Sequence, residues 1–418
     1  MTEKEAIEWI HSRLKFGIKP GLKRMKWMLN ELGNPQDNIN GIHIVGTNGK
    51  GSTTSYLQHI FTSSGYHVGT FTSPYIVDFK ERISLDGEMI TSDDFVTLIK
   101  RVKPIVERLS LETELEDATE FEVITLLMFE YFGNVHPVDI AIIEAGMGGL
   151  YDSTNVFKAL AVVCPSIGLD HQNILGNTLE DIARQKVGVL KQNVPLFFHT
   201  DNEEVRTVFI DKAKETKSSL FELGKVIKIK NCNSEFSVIF NHQVIDSCCL
   251  KLPGEHQKFN AALAVAASLH LQNKYPNLSK ETIKKGVNKT IWIGRTEFLS
   301  SNLMIDGAHN NESINALTSV LKTMHYKKLH ILFSAINTKP ADNMLKLLSK
   351  VGDITITSFD YPTALSLSEY PNVYKKVENW REWINQIIFD DEDNFYVITG
   401  SLYFISQVRQ EILSRNFF

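Results

Sequence analysis

The sequence lacks the features that would suit it to a membrane or to nucleic acid. Nowhere do about eighteen apolar residues follow one another, the length that a membrane-spanning helix needs. Its 44 basic and 49 acidic residues are well mixed, so the formal net charge of -5 creates no field that would gather nucleic acid or an anionic membrane. Any anion that the protein binds must therefore be held by a local site.

Cysteine is also scarce. The four cysteines are Cys164, Cys232, Cys248 and Cys249, and none of them forms the C-x-x-C spacing of a zinc site. The first five residues contain no basic stretch that leads into an apolar run, as a secretory signal would. These absences predict a cytoplasmic protein whose thiols are reduced and structural.

The length and the hydrophobic pattern predict two α/β domains. A chain of 418 residues with 43% hydrophobic residues is too long for a single core. Apolar runs alternate with segments of helical spacing, which predicts a parallel sheet with helices on both faces, and short β-rich runs between about residues 221 and 252 predict a small antiparallel patch. Residues 292–295 are the predicted linker, so we place the domains at residues 1–293 and 294–418.

A strand, a glycine-rich loop and a helix follow one another in the first domain. Residues 42–45 form the strand, and residues 46–53 are Gly-Thr-Asn-Gly-Lys-Gly-Ser-Thr. Glycines let backbone N–H groups face an anion, the helix N-terminus adds a positive dipole end, and Lys50 adds a charge. The common G-x-x-x-x-G-K-[ST] form is not met, because Ile44 replaces its first glycine and Gly51 follows the lysine. Nucleotide phosphates are the predicted ligand, and a glycine turn without a ligand is the alternative.

Polar side chains stand where two predicted strands end. Glu144 closes one buried apolar run, and His171 follows the next. Ligands of open α/β sheets collect outside these strand ends, so Glu144 is suited to hold Mg²⁺ on nucleotide phosphates, with Ser52 or Thr53 supplying a hydroxyl. A solvated strand-end acid is the alternative for Glu144, and the position of His171 alone fits a polar residue as well as a ligand.

Two further positions have ordinary structural explanations. Lys186 lies near the end of a helix that begins after Thr178, where a cation complements the helix dipole. Asp306 to Asn310 follow a strand of the second domain, so they either face a ligand or form a tight turn that caps the next helix. The residues alone leave these alternatives open.

An ordered series of short segments runs along nearly the whole chain. The segments are Phe16-Gly17, Pro20-Gly21-Leu22, Gly46 to Thr53, Thr72-Ser73-Pro74, Glu81-Arg82-Ile83, Phe121-Glu122, Glu144 to Gly149, Asp152 to Asn155, Gly168 to His171, Gly254 to Gln257 with Asn260-Ala261, Gly294 to Glu297, Asp306 to Asn310 and Thr399-Gly400-Ser401. Together they resemble the folylpolyglutamate synthase and dihydrofolate synthase family, relatives of the Mur ligases. Such a series is more specific than any one motif.

The resemblance implies a P-loop ATPase-like, Mur-ligase-like domain in residues 1–293 and a Rossmann-like, glutamate-side domain in residues 294–418. It implies ATP contacts at Gly49, Lys50, Gly51, Ser52, Thr53, Asn260, Arg295 and Asp306. The implied magnesium ligands are Ser73, Glu144, His171 and Ser52. On the folate and glutamate side it implies roles for Asp152 and Ser401.

The resemblance also changes the interpretation of Lys186. This residue matches a lysine that is carbamylated in the family, and carbamylation would turn the cation into a carboxylate able to hold a second Mg²⁺. His309 matches the family's active-site histidine beside the γ-phosphate and the incoming glutamate. With Lys50, these two residues form the implied catalytic set.

The implied activity is that of an ATP- and Mg²⁺-dependent ligase, which adds L-glutamate to the γ-carboxylate of a reduced folate through an acyl phosphate. Leu150 stands where members that also make dihydrofolate often carry arginine, which favours tail extension over dihydropteroate as acceptor. A Mur-type ligase of nucleotide-sugar peptides and a nucleotide-dependent switch protein are the more distant alternatives. We expect a monomer with no nucleic-acid or membrane partner.

Overall fold

The computed structural model describes residues 1–232 and 235–415, which form two compact units. One unit comprises Met1–Leu250 and Lys258–Thr290, and the other comprises Lys251–Gln257 and Ile291–Phe418. The main division along the chain therefore falls after Thr290, and one short segment before it groups with the second unit. The ATP-binding and glutamate-side roles of the two halves stay predictions.

An eight-stranded sheet forms the centre of the first unit. Its strands are β1 Gly41–Ile44, β2 Val68–Phe71, β3 Ile83–Leu85, β4 Glu88–Met89, β5 Ile140–Glu144, β6 Ala161–Cys164, β7 Leu196–Phe198 and β8 Leu220–Glu222. Over the described residues their order is β4-β3-β2-β5-β1-β6-β7-β8. The six strands from β2 to β8 in this order pair in parallel, whereas β3 and β4 add an antiparallel edge that the sequence did not predict.

Helices cover this sheet. They are α1 Glu3–His11, α2 Lys23–Glu31, α3 Lys50–Ser63, α4 Ser92–Glu112, α5 Glu120–Glu130, α6 Gln172–Leu175, α7 Leu179–Val187, α8 Glu203–Thr216, α9 Glu255–His270 and α10 Lys280–Lys289, with short 3-10 turns at Leu14–Phe16, Pro35–Asn38 and Phe79–Arg82 and a π turn at Tyr131–Val135. Every residue of β1, β5 and β6 is buried, as expected for central strands covered on both faces.

Local sequence signals explain where several helices begin. Thr119 caps α5 by accepting from the backbone N–H of Glu122, whose side chain accepts from the backbone of Thr119 in return. Thr178 and Asp181 form the same reciprocal cap at the start of α7. The capped start predicted after Thr178 is thus confirmed, and it fixes the helix that carries Lys186.

A separate three-stranded sheet follows. Its strands are β9 Lys228–Cys232, β10 Glu235–Phe240 and β11 Gln243–Cys248, in the antiparallel order β11-β10-β9. The burial of Phe236, Val238 and Phe240 alternates with more exposed residues, which is the pattern of a strand covered on one face. The predicted antiparallel patch is confirmed, but it begins later than expected, because residues 220–222 belong to the parallel sheet as β8.

The second unit contains a six-stranded sheet. Its strands are β12 Glu297–Ser300, β13 Leu303–Asp306, β14 Lys328–Phe333, β15 Asp353–Ile356, β16 Lys375–Lys376 and β17 Asn394–Thr399, in the order β12-β13-β17-β14-β15-β16 over the described residues. Its helices are α11 Asn311–Leu321, α12 Ala341–Leu348, α13 Trp380–Ile384 and α14 Leu402–Ser414, with a 3-10 turn at Leu367–Glu369. β12 alone pairs antiparallel, so the predicted second α/β domain is confirmed in class. In the described parts of both units, no helix is long and apolar enough to cross a membrane.

One glycine sets the distance between α3 and α10. A Cβ atom added at Gly286 of α10 would lie 2.6 Å from the backbone nitrogen of Ile60 and 2.7 Å from the carbonyl oxygen of His59, both in α3. Real Cβ atoms do not approach backbone this closely, so only glycine allows the two helices to pack as they do. Because α3 begins at the glycine-rich loop, this contact also supports the loop.

The α3–α10 contact predicts that a glycine-to-alanine change at Gly286 destabilises the protein, although such a change usually stabilises a helix. In an ordinary helix interior such a change stabilises by about 1 kcal/mol. Gly286→Ala should instead lower the free energy of unfolding by about 1 to 3 kcal/mol, because the added carbon overpacks against the backbone of α3. Urea unfolding followed by circular dichroism measures the difference. Lys285→Ala, an exposed neighbour in the same helix, is the control and should change stability by less than about 0.5 kcal/mol. A stabilised Gly286→Ala variant would contradict the close contact.

Candidate active site

The strand order of the first unit brings four predicted site segments to one edge of the sheet. β2, β5, β1 and β6 are consecutive and parallel, so their carboxyl ends lie side by side. Ser73 follows β2, Glu144 ends β5, the loop at residues 46–49 follows β1, and His171 lies in the segment after β6. Ligands of parallel sheets bind outside this edge. The sheet therefore gathers these segments on the side where the sequence predicts a nucleotide.

Glycine allows the loop between β1 and α3 to adopt its backbone path. Gly46 and Gly49 have φ of 144° and 85°, conformations that other residues rarely adopt, and Gly49 is the N-cap of α3. A Cβ at Gly49 would lie 2.5 Å from Oδ1 of Asn260, so this asparagine lies directly against the loop. On the other side, Thr47 Oγ1 donates to the carbonyl of Gly168 at 3.0 Å, which ties the loop to the segment after β6.

Lys50 and Glu144 meet at the mouth of this loop. The Lys50 Nζ lies 3.8 Å from Glu144 Oε1 and 3.4 Å from the carbonyl oxygen of Thr47. Glu144 is buried, with 3% of its surface exposed. Among the described residues, the buried Thr53 hydroxyl has no hydrogen-bond partner. A buried carboxylate beside a cation at the mouth of a glycine-rich loop suits a phosphate-bound Mg²⁺, which takes oxygen ligands from protein, phosphate and water.

Lys186 lies beneath the loop, buried rather than on a helix surface. Its Nζ donates to the carbonyl of Gly46 at 2.7 Å, and 4% of the residue is exposed. Burial, with a further contribution from the charge of Lys50, lowers the pKa of Lys186 to about 7. An exposed cation that complements the helix dipole, as position alone suggested, would not be buried in this way. A largely neutral amine near pH 8 is the form that reacts with carbon dioxide, so the site suits the carbamylation that the family resemblance implies.

Backbone packing fixes the end of α7 that carries Lys186. Leu150 N donates to the carbonyl of Gln185 at 2.7 Å. A Cβ at Gly149 would collide with the carbonyl oxygen of Lys186 and lie 2.9 Å from that of Gln185. The loop that follows β5 therefore rests on the backbone of α7, and it links Glu144 to Lys186.

Asp152 faces inward and holds this loop. Its Oδ2 accepts from Met147 N at 2.8 Å, and its Oδ1 accepts from the backbone N–H and the hydroxyl of Thr154 at 3.0 and 2.5 Å. Burial raises the pKa of the Asp152 carboxyl, while the Met147 and Thr154 donors and the charge of Lys50 act in the opposite direction. The structure thus gives Asp152 a role in shaping the loop, and its assignment to the folate side stays a prediction.

Ser73 and His171 lie at the same edge of the first sheet, and both are more exposed than Glu144 and Lys186. Ser73 is half-buried in the segment after β2. His171 is the N-cap of α6 with φ of 51°, and 45% of its side chain is exposed. Within residues 1–232 and 235–415, no group of three or more His, Cys, Asp or Glu residues could hold a metal ion. A magnesium site built on the predicted ligands Glu144 and His171 would therefore need hydroxyl, phosphate or carbamate oxygens to complete it.

In the second unit, Asp306 holds two turns together. It ends β13 and is buried, and its two carboxylate oxygens accept from Thr296 N at 2.7 Å and Ala308 N at 2.8 Å. Burial raises the pKa of the Asp306 carboxyl, and the charge of Arg295 opposes this effect. A Cβ at Gly307 would lie 3.1 Å from Arg295 Nη1, so these predicted ATP contacts do lie together.

His309 and Ser401 occupy the same edge of the second sheet. β13 and β17 pair in parallel with Asp306 opposite Thr399, so the residues that follow both strands share that edge. His309 Nδ1 donates to the carbonyl of Gly307 at 2.7 Å, which makes Nε2 an acceptor in the neutral ring. Ser401 is buried and precedes α14. Both residues therefore lie where a ligand of this unit would bind, as predicted for an edge position.

The sequence analysis missed one part of the first unit's site. His43 lies within β1, and its Nε2 is 2.8 Å from the hydroxyl of Thr154. Nothing in the run Ile42 to Val45 distinguishes this histidine from an ordinary strand residue. The spacing of Asp152 and Thr154 is typical of a side chain that accepts from the backbone two residues later, so it signalled the contact between these two residues but not the contact with His43.

The comparisons with known proteins concern the family and the fold of the chain. Residues 44–268 match the Mur ligase middle domain. The chain is 38% identical to a dihydrofolate synthase/folylpolyglutamate synthase from Bacillus subtilis, with 98% of both chains covered, and 32% identical to a folylpolyglutamate synthase from Lacticaseibacillus casei, with 99% of both covered. It superposes on a solved Mycobacterium tuberculosis folylpolyglutamate synthase complexed with ADP and AMPPCP with a TM-score of 0.87, at 26% identity and 98% coverage of each chain.

The middle-domain match and the sheet-edge site define a Mur-type ligase. The chain belongs to the folylpolyglutamate synthase and dihydrofolate synthase family of these ligases. The family resemblance found in the ordered segments is therefore confirmed, and so is the two-domain α/β class.

The buried position of Lys186 predicts how stability changes with pH. Its pKa is about 7 in the folded protein, below that of an exposed lysine, so between these values the unfolded chain binds a proton that the folded chain lacks. This lysine therefore makes the free energy of unfolding increase as pH rises above about 7. In buffer free of carbon dioxide, Lys186→Met should reduce that increase, measured by urea unfolding from pH 7 to pH 9. Lys214→Met, which changes an exposed lysine, is the control. If the free energy of unfolding rose equally with pH in the wild type and both variants, the result would contradict a buried amine at Lys186.

Proposed function

We propose that the chain adds L-glutamate to the γ-carboxylate of a reduced folate tail, with ATP as the energy source and Mg²⁺ as the metal. The observation that carries the proposal is the pairing of Lys50 with the buried Glu144 beside the glycine-rich loop, in a chain similar over its whole length to named folylpolyglutamate synthases. A carboxylate does not accept an amine at a useful rate, because oxide is a poor leaving group. Transfer of a phosphoryl group from ATP to the carboxylate gives the acyl carbon phosphate as a better leaving group.

The proposed reaction has two steps. A γ-carboxylate oxygen of the folate attacks the γ-phosphorus of ATP, ADP leaves, and an acyl phosphate forms. The amine of L-glutamate then attacks the acyl carbon, loses a proton, and displaces phosphate. Lys50 neutralises charge on the transferring phosphoryl group, while the N–H groups at Gly49, Gly51 and Ser52 face the phosphates. His309 Nε2 is an acceptor that suits the proton from the amine.

Magnesium fits the proposed ligands of this edge, which are carboxylate and hydroxyl oxygens together with one ring nitrogen of His171. We assign it to Glu144, Ser73, His171 and the hydroxyl of Ser52, and we propose that a carbamate on Lys186 supplies a further carboxylate. When bound, the metal stabilises negative charge on the phosphates. Asn260, Arg295 and Asp306 are assigned to ATP, and Asp152 and Ser401 to the folate and glutamate side. We also propose that the protein is a cytoplasmic monomer, and the four free cysteines agree with the reducing compartment.

Dihydropteroate is the second candidate acceptor, because the Bacillus subtilis relative is named for both dihydrofolate and folylpolyglutamate synthesis. The chemistry at the carboxylate is the same for both acceptors, so one site would serve. Leu150 favours tail extension, since members that also make dihydrofolate often carry arginine there. The two activities differ only in whether the acceptor already carries a glutamate.

An assay with two acceptors tests this function. Purified protein is incubated with Mg-ATP and L-glutamate, with tetrahydrofolate or dihydropteroate, and phosphate release and product mass are followed. We expect a glutamyl mass gain with tetrahydrofolate and one phosphate released per glutamate added. A gain with dihydropteroate as well would make the enzyme bifunctional. Phosphate release that needs neither acceptor would contradict the ligase proposal and favour a nucleotide-dependent switch.

A chemical rescue tests the carbamate on Lys186. Lys186→Ala should lower kcat by on the order of 100-fold or more, the scale seen when one charge-stabilising group is removed. The alanine leaves space for a small acid, so acetate or propionate should restore part of the rate. Glu144→Gln is the matched control, since it removes a carboxylate without leaving space and should be inactive with or without these acids. Failure of every short-chain acid to raise the rate of Lys186→Ala would count against the carbamate.

A further inference from the structure

A buried chain of hydrogen bonds runs from the centre of the sheet to the active-site loop. His43 Nε2 lies 2.8 Å from Thr154 Oγ1, and Thr154 Oγ1 lies 2.5 Å from Asp152 Oδ1. His43 and Thr154 have 1% and 0% of their surface exposed, so water does not take the place of either contact. The chain continues through Asp152 Oδ2 to the backbone N–H of Met147. It joins strand β1 to the loop that follows β5.

The donors and acceptors give this chain a direction. Three donors converge on the Asp152 carboxylate, namely the N–H groups of Met147 and Thr154 and the Thr154 hydroxyl. The hydroxyl has one proton, and it gives that proton to Asp152, so its oxygen must accept from His43. Burial lowers the pKa of His43 to about 3, so the ring is neutral and carries a single N–H. That N–H is on Nε2.

The loop after β5, where the hydrogen-bond chain ends, connects Glu144 to Lys186, two groups of the proposed active site. Met147 lies three residues after Glu144, and Leu150 and Gly149 rest on the backbone of Gln185 and Lys186. A carboxylate that lost one of its donors would turn or recruit water, and the N–H of Met147 would lose its fixed partner. The positions of Glu144 and Lys186 therefore depend on Asp152, and Asp152 depends on Thr154 and His43.

We propose that His43 is a positioning residue of the ligase, which acts through Thr154 and Asp152 to hold the loop between Glu144 and Lys186. This inference rests on the proposed function, because the loop matters only if Glu144 and Lys186 serve catalysis. The alternative is that His43 only fills space beside Phe157, whose ring centroid lies 5.1 Å away. The two explanations predict different activities for a variant of His43 whose polar side chain is too short to reach Thr154.

Matched substitutions at His43 separate these explanations. The amide nitrogen of glutamine takes the position of Nε2, whereas that of asparagine takes the position of Nδ1 and falls short of Thr154. His43→Gln should stay within about 3-fold of the wild-type kcat, and His43→Asn and His43→Leu should lose roughly 10-fold, the scale typical of groups that hold a ligand in place. KM for tetrahydrofolate should change less than kcat. Equal kcat in His43→Gln and His43→Asn would overturn the proposal.

Thr154 supplies a second and independent set of variants. Thr154→Val removes the hydroxyl at constant shape and should lower kcat as His43→Leu does, while Thr154→Ser keeps the hydroxyl and should stay within about 3-fold. Because both residues act through one chain, the His43→Leu/Thr154→Val double variant should lose no more than either single variant. Multiplied losses, or a Thr154→Val enzyme as fast as Thr154→Ser, would contradict the relay.

The tautomer of His43 gives a readout that does not depend on activity. In protein labelled with ¹⁵N-histidine, NMR should show the His43 ring as a neutral Nε2–H tautomer from pH 6 to pH 9, with the signal assigned by its absence in His43→Gln. A neutral Nδ1–H tautomer, or a protonated ring, would overturn the direction of the chain. If wild-type protein showed no ligation, the proposed function would fail while the NMR result still decided the hydrogen-bond chain.

Discussion

Parallel pairing of β1 between β5 and β6 is the constraint on which the site depends. Register in these pairs aligns Ile44 with Glu144 and with Val163, so the strands reach the same edge together. Each strand is buried along its length, so a polar side chain reaches a ligand only where the strand ends, and the polar His43 within β1 is instead satisfied by Thr154. The glycine-rich loop, Glu144 and the segment leading to His171 are therefore neighbours by topology, although they are far apart in sequence.

Several close backbone contacts then convert this topology into fixed distances. Asn260 lies against Gly49, the carbonyl of Gly46 accepts from Lys186, and the loop after β5 rests on α7. As a result, two lysines and two carboxylates lie close together and are mostly removed from water, namely Lys50, Lys186, Glu144 and Asp152. Burial is the main cause that lowers the pKa of Lys186, and the charge of Lys50 adds to it, because charges removed from water act on one another more strongly than surface charges do.

The sequence predicted the class of the fold and the strand-end positions of the site well, because these follow from hydrophobic period and glycine placement. The strand, loop and helix around Lys50 and the end of β5 at Glu144 are confirmed. The antiparallel additions β3, β4 and β12 were missed, since short edge strands have no strong periodic signal. The burial of Lys186 and the contact of His43 with Thr154 could not be predicted, because both depend on which distant segments meet in space.

The glycine at position 149 has a consequence for how this family diverges. A side chain there would collide with the carbonyl oxygen of Lys186, whatever its chemistry. Mutation at this position is thus disfavoured by shape alone, and the same holds for Gly286 against α3. Retention of glycine at such positions in distant homologues would record steric exclusion rather than participation in the reaction. Invariance across an alignment would then be a poor guide to catalysis unless each invariant residue were first checked for the space around it.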